Sequence, residues 1–417
     1  MNDIKKLVEN YEDEYLKKKY YNSKKLFEVI SYYILNKELI IYGGYALNLV
    51  FPKNKKFYKS YTLADYDCYS YNAKKDAIKI AKELRILKYK LIKVKHAAHP
   101  NTYKVYVGRT NVLDITQISK KLYDILKKIH KEELKTKLLR YYKEKYIIVP
   151  CVLLVRNLHY ELARPEGSSH RWEKIYKRLG IYKKLNKINK DVKYKNSYIP
   201  ISKEYNNLIE NVLNYIKKEK NPIIDSYAIK LHKNIKDPNC CRNRKESMML
   251  MILTNNLEKT NRNIMEIINN TLDKKTYNII NKYRIDDITM DILNKRHRID
   301  ILNTKTKEKF NLISIINTEH ECFSTKEING YCVGSIDTIL CFLYSYYMTY
   351  KIYKYISFNN NATLSNTNDY IYKYEKYLKT MTNIKDRLST KCYGKEIGID
   401  EYYKNNWGKQ LSIVKYS

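Results

Sequence analysis

Apolar residues in the first part of the chain recur at helical spacing. Leu26, Phe27, Ile30 and Ile34 fall on one face of an otherwise charged stretch, which predicts a helix over residues 1–35. The pattern then changes. Glu38 to Tyr42 is a short apolar strand, followed by Gly43-Gly44 and a helical run from Tyr45 to Val50. Asp65 to Ser70 reads as a strand, and Ala73 to Leu87 sets Ile78, Ala81 and Leu84 on one helical face. Strands are predicted at about 89–95, 102–107 and 111–118, then a basic helix over about 119–140. An apolar helix from Ile147 to Leu162 should stop before Arg164-Pro165, because proline disfavours helix in the residue ahead of it. Ser169 is placed to cap a further helix that ends at Gly180.

Lys183 to Ser197 is rich in lysine and asparagine and reads as a boundary or an exposed basic face. A second α/β unit follows, with strands at Asn311 to Glu319 and Cys322 to Ile328. Asn329-Gly330 is a hairpin turn into Tyr331–Gly334, Ser335 caps a helix, and Asn359 to Asn368 is a polar loop. This divides the chain into a helical segment (1–35), a first domain (36–198) and a second (199–417). One repeat stands out: Ile41 to Leu49 (IYGGYALNL) aligns with Ile223 to Leu231 (IIDSYAIKL). Chance in a chain rich in tyrosine and isoleucine competes with duplication. In the second copy Asp225-Ser226 replaces the diglycine, and Ser247-Met248-Met249 stands where an acidic pair would. If it is a duplicate, it has lost its chemistry. The expected fold class is α/β with mixed sheets.

Composition narrows the classes. At 417 residues and 44% hydrophobic content the chain can bury two cores and is not disordered. The longest apolar run, Ile147 to Val155, is about half a membrane span, and the first residues lack a secretory signal. No membrane association is expected, and the chain should stay where it is made. Eight cysteines form no C-x-x-C pair and read as reduced, mostly buried thiols. Lysine and arginine outnumber aspartate and glutamate 80 to 44, a formal charge of +36 that recruits polyanions, chiefly nucleic acid. AT-rich coding bias also inflates lysine, yet it does not oblige the charge to go unbalanced.

Candidate chemistry lies in Gly43-Gly44, Asp65-Tyr66-Asp67 and Asp114. Glycines between a strand and a helix let the backbone approach a phosphate, and the helix start offers unpaired N–H groups; alone, the pair could be a plain turn. Asp65 and Asp67 point to one face of a strand, where neighbouring carboxylates call for a cation, and a hard divalent ion is the natural occupant. Asp114, on the alternating strand Asn111 to Thr116, supplies a third ligand. Two metals about 4 Å apart could activate a hydroxyl and stabilise a leaving pyrophosphate. Softer candidates for base and triphosphate are Arg156, Asn157 and Tyr160 on one helical sector, and Arg171, Lys174 and Arg178 on another. A solvated charged face explains these equally well. Trp172 reads as core ahead of a base-stacking platform.

The order of diglycine, Asp-x-Asp and a later strand Asp resembles the polymerase-β-type nucleotidyltransferase superfamily. The 20 residues between Gly44 and Asp65 exceed the usual spacing there. The chain is more similar to the poly(A) polymerase catalytic subunits of poxviruses and giant viruses, through Tyr42 to Ala46 (YGGYA), Leu63 to Ser70 (LADYDCYS), Leu113 to Thr116 (LDIT) and Glu161 to Arg178 (ELARPEGSSHRWEKIYKR). The resemblance implies a catalytic nucleotidyltransferase domain followed by a degenerate one. It makes Asp65, Asp67 and Asp114 the catalytic metal ligands and sets Gly43 and Gly44 beside the triphosphate. Mg²⁺ or Mn²⁺ is the implied cofactor, ATP the substrate and single-stranded RNA the acceptor. A homodimer is implied ahead of the poxvirus complex with a cap methyltransferase, since the N-terminal segment is short. The implied location is the host cytoplasm, in a viral factory, with packaging in the virion as a further expectation. CCA or uridylate addition, and a non-catalytic RNA-binding subunit, are the competing functions.

Overall fold

The computed structural model describes residues 2–63, 66–97, 101–185, 203–232, 250–284, 293, 295–307, 309–319, 321–356, 371–372, 375 and 388–396. Asp65, residues 186–197, Ser247 to Met249 and Asn359 to Asn368 lie outside the described residues. The described chain forms two compact units, one of residues up to 154 with 180–185, the other of residues 155–179 and 203–396.

The first unit opens with helix α1 (Asn2–Asn36), whose Leu26, Phe27, Ile30, Tyr33 and Ile34 are buried. Then come β1 (Ile40–Tyr42), α2 (Gly43–Leu49), β2 (Asp67–Ser70), α3 (Ala73–Ile86) and the strands β3 (Ile92–His96), β4 (Thr102–Val107) and β5 (Thr110–Gln117). Helix α4 (Lys120–Glu133) is capped by Ser119, whose side chain accepts from the Leu122 amide, and leads to β6 (Ile147–Ile148). The strands form one mixed sheet in the order β3-β4-β5-β2-β1-β6. β2 is parallel to β5 and antiparallel to β1, and β1 is parallel to β6. Ile40, Ile41, Cys68 and Ile115 are fully buried in its centre, which explains why β1 reads as continuously apolar.

Three expectations about residues 147–180 need correction. Residues 147–148 are strand and not helix: Pro150 breaks the run, and Ile147 and Ile148 pair with β1 instead, so helix α5 begins at Cys151 (Cys151–Ala163). After a short helix, α6 (Pro165–Ser168), Ser169 lies inside a 3-10 turn (Ser169–Arg171) and so does not stand at the start of the helix that follows. Helix α7 (Trp172–Leu185) continues through Gly180, where a side chain would meet open space, so nothing local ends it.

The second unit contains α8 (Lys203–Glu219), α9 (Ser226–His232), β7 (Leu250–Thr254), α10 (Leu257–Thr271), β8 (Tyr277–Arg284), β9 (Arg296–Asn303) and β10 (Lys309–Asn317). β11 (Phe323–Ile328), β12 (Tyr331–Gly334), α11 (Ile336–Ile356) and β13 (Cys392–Tyr393) follow. Ser335 does cap α11, accepting from the Thr338 amide at 3.2 Å. β13 lies against β11, and a disulfide joins Cys322 to Cys392. The expectation of reduced thiols therefore fails for this pair: strand pairing sets the two Cα atoms 5.4 Å apart, within bonding range. Among the described cysteines, Cys68, Cys151, Cys332 and Cys341 are thiols outside the disulfide.

Both units share one topology. β2-α3-β3-β4-β5 builds the strand order β3-β4-β5-β2, and β7-α10-β8-β9-β10 builds β8-β9-β10-β7, each closed by a parallel pair. Ile41 pairs antiparallel with Cys68 and parallel with Ile148; Ile223 pairs antiparallel with Ile252 and parallel with Val333. The repeat read from sequence thus occupies one register twice, which favours duplication over chance. Counting back from these pairs, Met251 stands at the place of Asp67, Ser314 at that of Asp114 and Asp225 at that of Gly43. The second copy has lost the acidic pair. Its Asp225 carboxylate, 1% exposed, accepts from the Tyr227, Ala228 and Met251 amides, so a protein anion fills the start of α9.

Candidate active site

The first unit brings three of the singled-out residues together. β1 ends at Tyr42, which is paired with Asp67, and Asp67 is in turn paired with Asp114 on β5. Adjacent strands lie about 4.8 Å apart and directly paired residues point to the same face, so the two carboxylates are neighbours. Gly43 turns the chain from β1 into α2 with φ +71°, a left-handed value that L side chains avoid. A Cβ there would lie 3.3 Å from Asp67 Cγ and closer still to Oδ2, so only glycine admits this approach. Gly44 follows it at the start of α2.

Asp114 is 9% exposed and both its oxygens are engaged: Asn111 Nδ2 donates to Oδ1 at 2.7 Å, and Lys104 Nζ donates to Oδ2 at 2.5 Å. Lys104 stands opposite Asp114 on β4. Burial disfavours its ammonium form, but the bond to Asp114 and the charges of Asp114, Tyr106 and Asp67 together outweigh this, and the pKa is raised. The ring of Tyr42 stacks on Tyr69 with centroids 4.2 Å apart, and its hydroxyl meets Thr116 Oγ1 at 2.9 Å. Burial, then the Asp67 charge, pushes the Tyr42 phenol well above its usual range; burial, with Asp67 and Asp114 beside it, does the same to the Cys68 thiol. In both shifts burial is the larger cause, and the Asp67 and Asp114 charges add to it.

A hard divalent cation fits this donor set. Two oxygen-bearing side chains occupy paired positions and are partly shielded from water, beside a turn that only glycine can make. Asp65, two residues before Asp67, lies outside the described residues. Elsewhere among the described residues, Glu166, Cys322 and Cys392 set donor atoms within 4.8 Å of one another, but the two sulfurs are bonded to each other.

The other candidates belong to the second unit. Arg156 Nε donates to Ser345 Oγ at 3.0 Å, and Asn157 Oδ1 accepts from Arg156 at 3.4 Å. The guanidiniums of Arg156 and Arg164 lie 4.6 and 4.5 Å from the Tyr160 ring centroid, and the Tyr160 hydroxyl donates to Glu321. Lys174 is exposed on α7, whereas Arg178 is buried, so Arg171, Lys174 and Arg178 do not form one solvent-facing stripe. Trp172 donates from Nε1 to the Glu161 carbonyl at 3.0 Å, an anchoring contact. Lys104 escaped the sequence reading. Its alternating strand was legible, but which strand it would face was not.

Residues 28–149 match the family model described as poly(A) polymerase catalytic subunit. A candidate poly(A) polymerase catalytic subunit of Acanthamoeba polyphaga mimivirus is 26% identical over 182 residues, which covers 42% of this chain and 29% of that protein. The matched stretch thus spans under a third of that relative's length. The crystal structure of the Megavirus polyadenylate synthase superposes with a TM-score of 0.72 at 17% identity, covering 98% of this chain and 84% of that one. These findings bear out the resemblance to giant-virus poly(A) polymerases, and the chain has the fold of the Megavirus protein. Among the described residues no helix is long and apolar enough to cross a membrane.

Proposed function

We propose that this chain is a template-independent poly(A) polymerase that transfers AMP from ATP to RNA 3′ ends. The observation that carries the proposal is the in-register pairing of Asp67 and Asp114 beside the left-handed turn at Gly43. The match of residues 28–149 to the poly(A) polymerase family supports it. In the reaction the ribose O3′ forms a bond to the α-phosphorus, the bond from that phosphorus to the bridging oxygen breaks, and pyrophosphate leaves.

Mg²⁺ or Mn²⁺ held by Asp65, Asp67 and Asp114 would acidify the 3′-hydroxyl and neutralise charge on the leaving pyrophosphate. The chain's own residues do the rest. Asn111 and Lys104 fix the Asp114 carboxylate, and the backbone at Gly43 and Gly44, opening α2, offers N–H groups to the triphosphate. Arg156, Asn157, Tyr160 and Lys174 are proposed contacts to the nucleotide. Of these, Arg156 and Lys174 suit phosphate best, because the Tyr160 hydroxyl and ring already meet Glu321 and two arginines. The catalytic domain is proposed to span 36–198, with 199–417 as its degenerate partner. The +36 charge would hold single-stranded RNA through its phosphates. Homodimerisation and action in the host cytoplasm, in the viral factory, belong to the same reading.

The test is extension of an oligo(A) primer with each nucleoside triphosphate separately, in Mg²⁺ or Mn²⁺. ATP should be preferred, and Asp67→Asn or Asp114→Asn should lower the rate by at least about 100-fold, the scale of losing one preorganised electrostatic group, with RNA affinity retained. Absence of extension with either metal would refute the activity. Preference for CTP or UTP would reassign the product.

A further inference from the structure

We propose that Lys104 is a positioning residue that holds Asp114 as an internal counter-ion and is handed to the triphosphate when nucleotide arrives, which makes metal and nucleotide binding cooperative. This inference rests on the polymerase reading of the site.

Three observations support it. Lys104 stands directly across from Asp114 in the β4–β5 pairing, with Nζ 2.5 Å from Oδ2, while Asn111 takes the other oxygen. Each Asp114 oxygen thus keeps a lone pair for a cation, but the one at Oδ2 lies beside an ammonium. The pair is also largely covered, with side-chain exposures of 30% for Lys104 and 12% for Asp114. A divalent ion arriving at Oδ2 would meet an ammonium where water screens poorly, and like charges at such a spot disfavour each other. Either the metal stays weakly bound or the lysine leaves.

Departure is cheap only if the ammonium gains another anion. The lysine stem is flexible enough to swing Nζ without moving β4. On the polymerase reading the triphosphate supplies the anion beside Gly43, which follows directly on Tyr42, the strand partner of Asp67, itself paired with Asp114. The second copy shows the same coupling of cation to carboxylate. Arg298 holds the register place of Lys104, opposite Ser314 instead of an aspartate, and its Nε turns to Asp300 at 3.0 Å on its own strand. Once the facing carboxylate is gone, the cation pairs elsewhere.

The experiment measures Mn²⁺ binding to the full chain by the electron paramagnetic resonance of free Mn²⁺, with and without a non-hydrolysable ATP analogue. Wild type should bind Mn²⁺ weakly alone and more tightly with the analogue. Lys104→Gln should bind Mn²⁺ alone about tenfold more tightly, within the ordinary range of site–site coupling, and lose most of the gain from the analogue. Lys104→Arg, which keeps the charge, should behave as wild type. Lys104→Met replaces the glutamine variant if thermal melting shows that one unfolded. A neutral variant with unchanged or weaker Mn²⁺ affinity overturns the inference, as does an arginine variant that matches glutamine. If wild type shows no Mn²⁺ binding sensitive to Asp114→Asn, the polymerase reading of the site has failed instead.

Discussion

Gly43→Ala separates a catalytic requirement from a folding one. The native φ of +71° costs an alanine roughly 1–2 kcal/mol. The new methyl would also sit 3.3 Å from Asp67 Cγ and nearer to Oδ2, so the carboxylate must turn away or the β1–α2 turn must open. Restoring ordinary contact needs a shift of about 1 Å, and a misplacement of that size costs on the order of 100-fold in rate. The stability loss is small against a typical 5–15 kcal/mol, so the variant should remain folded. Primer-extension kcat under saturating ATP, beside urea denaturation of the same preparation, gives both quantities. A kcat within threefold of wild type would show that Gly43 does not control Asp67. A rate loss matched by the unfolded fraction would show that the turn matters only for folding.

Asp225→Ala should lower the unfolding free energy by about 2–4 kcal/mol, because a buried carboxylate that accepts from three amides is removed and the amides are left unpaired. Chemical denaturation reads this, with primer extension per folded molecule unchanged; a loss below about 0.5 kcal/mol would refute the capping role. His130 is buried, its Nδ1 meets no partner among the described residues, and burial lowers its pKa to about 4. The unfolded chain, with a histidine near 6.5, then binds more protons between those values. The contribution is therefore whole above pH 6.5 and is lost as pH falls to about 4, by up to about 3 kcal/mol. Stability measured over that window should fall less steeply in His130→Leu, and equal slopes would contradict the assignment.

What the sequence determined by itself was local. Period-2 and period-3.6 patterns place β1, β2, α3 and β5, and a diglycine between strand and helix announces a close backbone approach, because these follow from sterics within a few residues. Asp67 and Asp114 were legible for that reason. The Ile41 and Ile223 segments were legible as similar strings, yet only the paired registers separated kinship from compositional chance. Tertiary structure decided whatever depends on a distant partner. Residues 147–148 became strand because β1 offered them an edge, and β13 brought Cys392 to Cys322 across 70 residues. Lys104 faces Asp114 through a strand pairing that no local period encodes. Period and backbone sterics are properties of neighbours in the chain, whereas pairing is selected by the burial of the whole sheet.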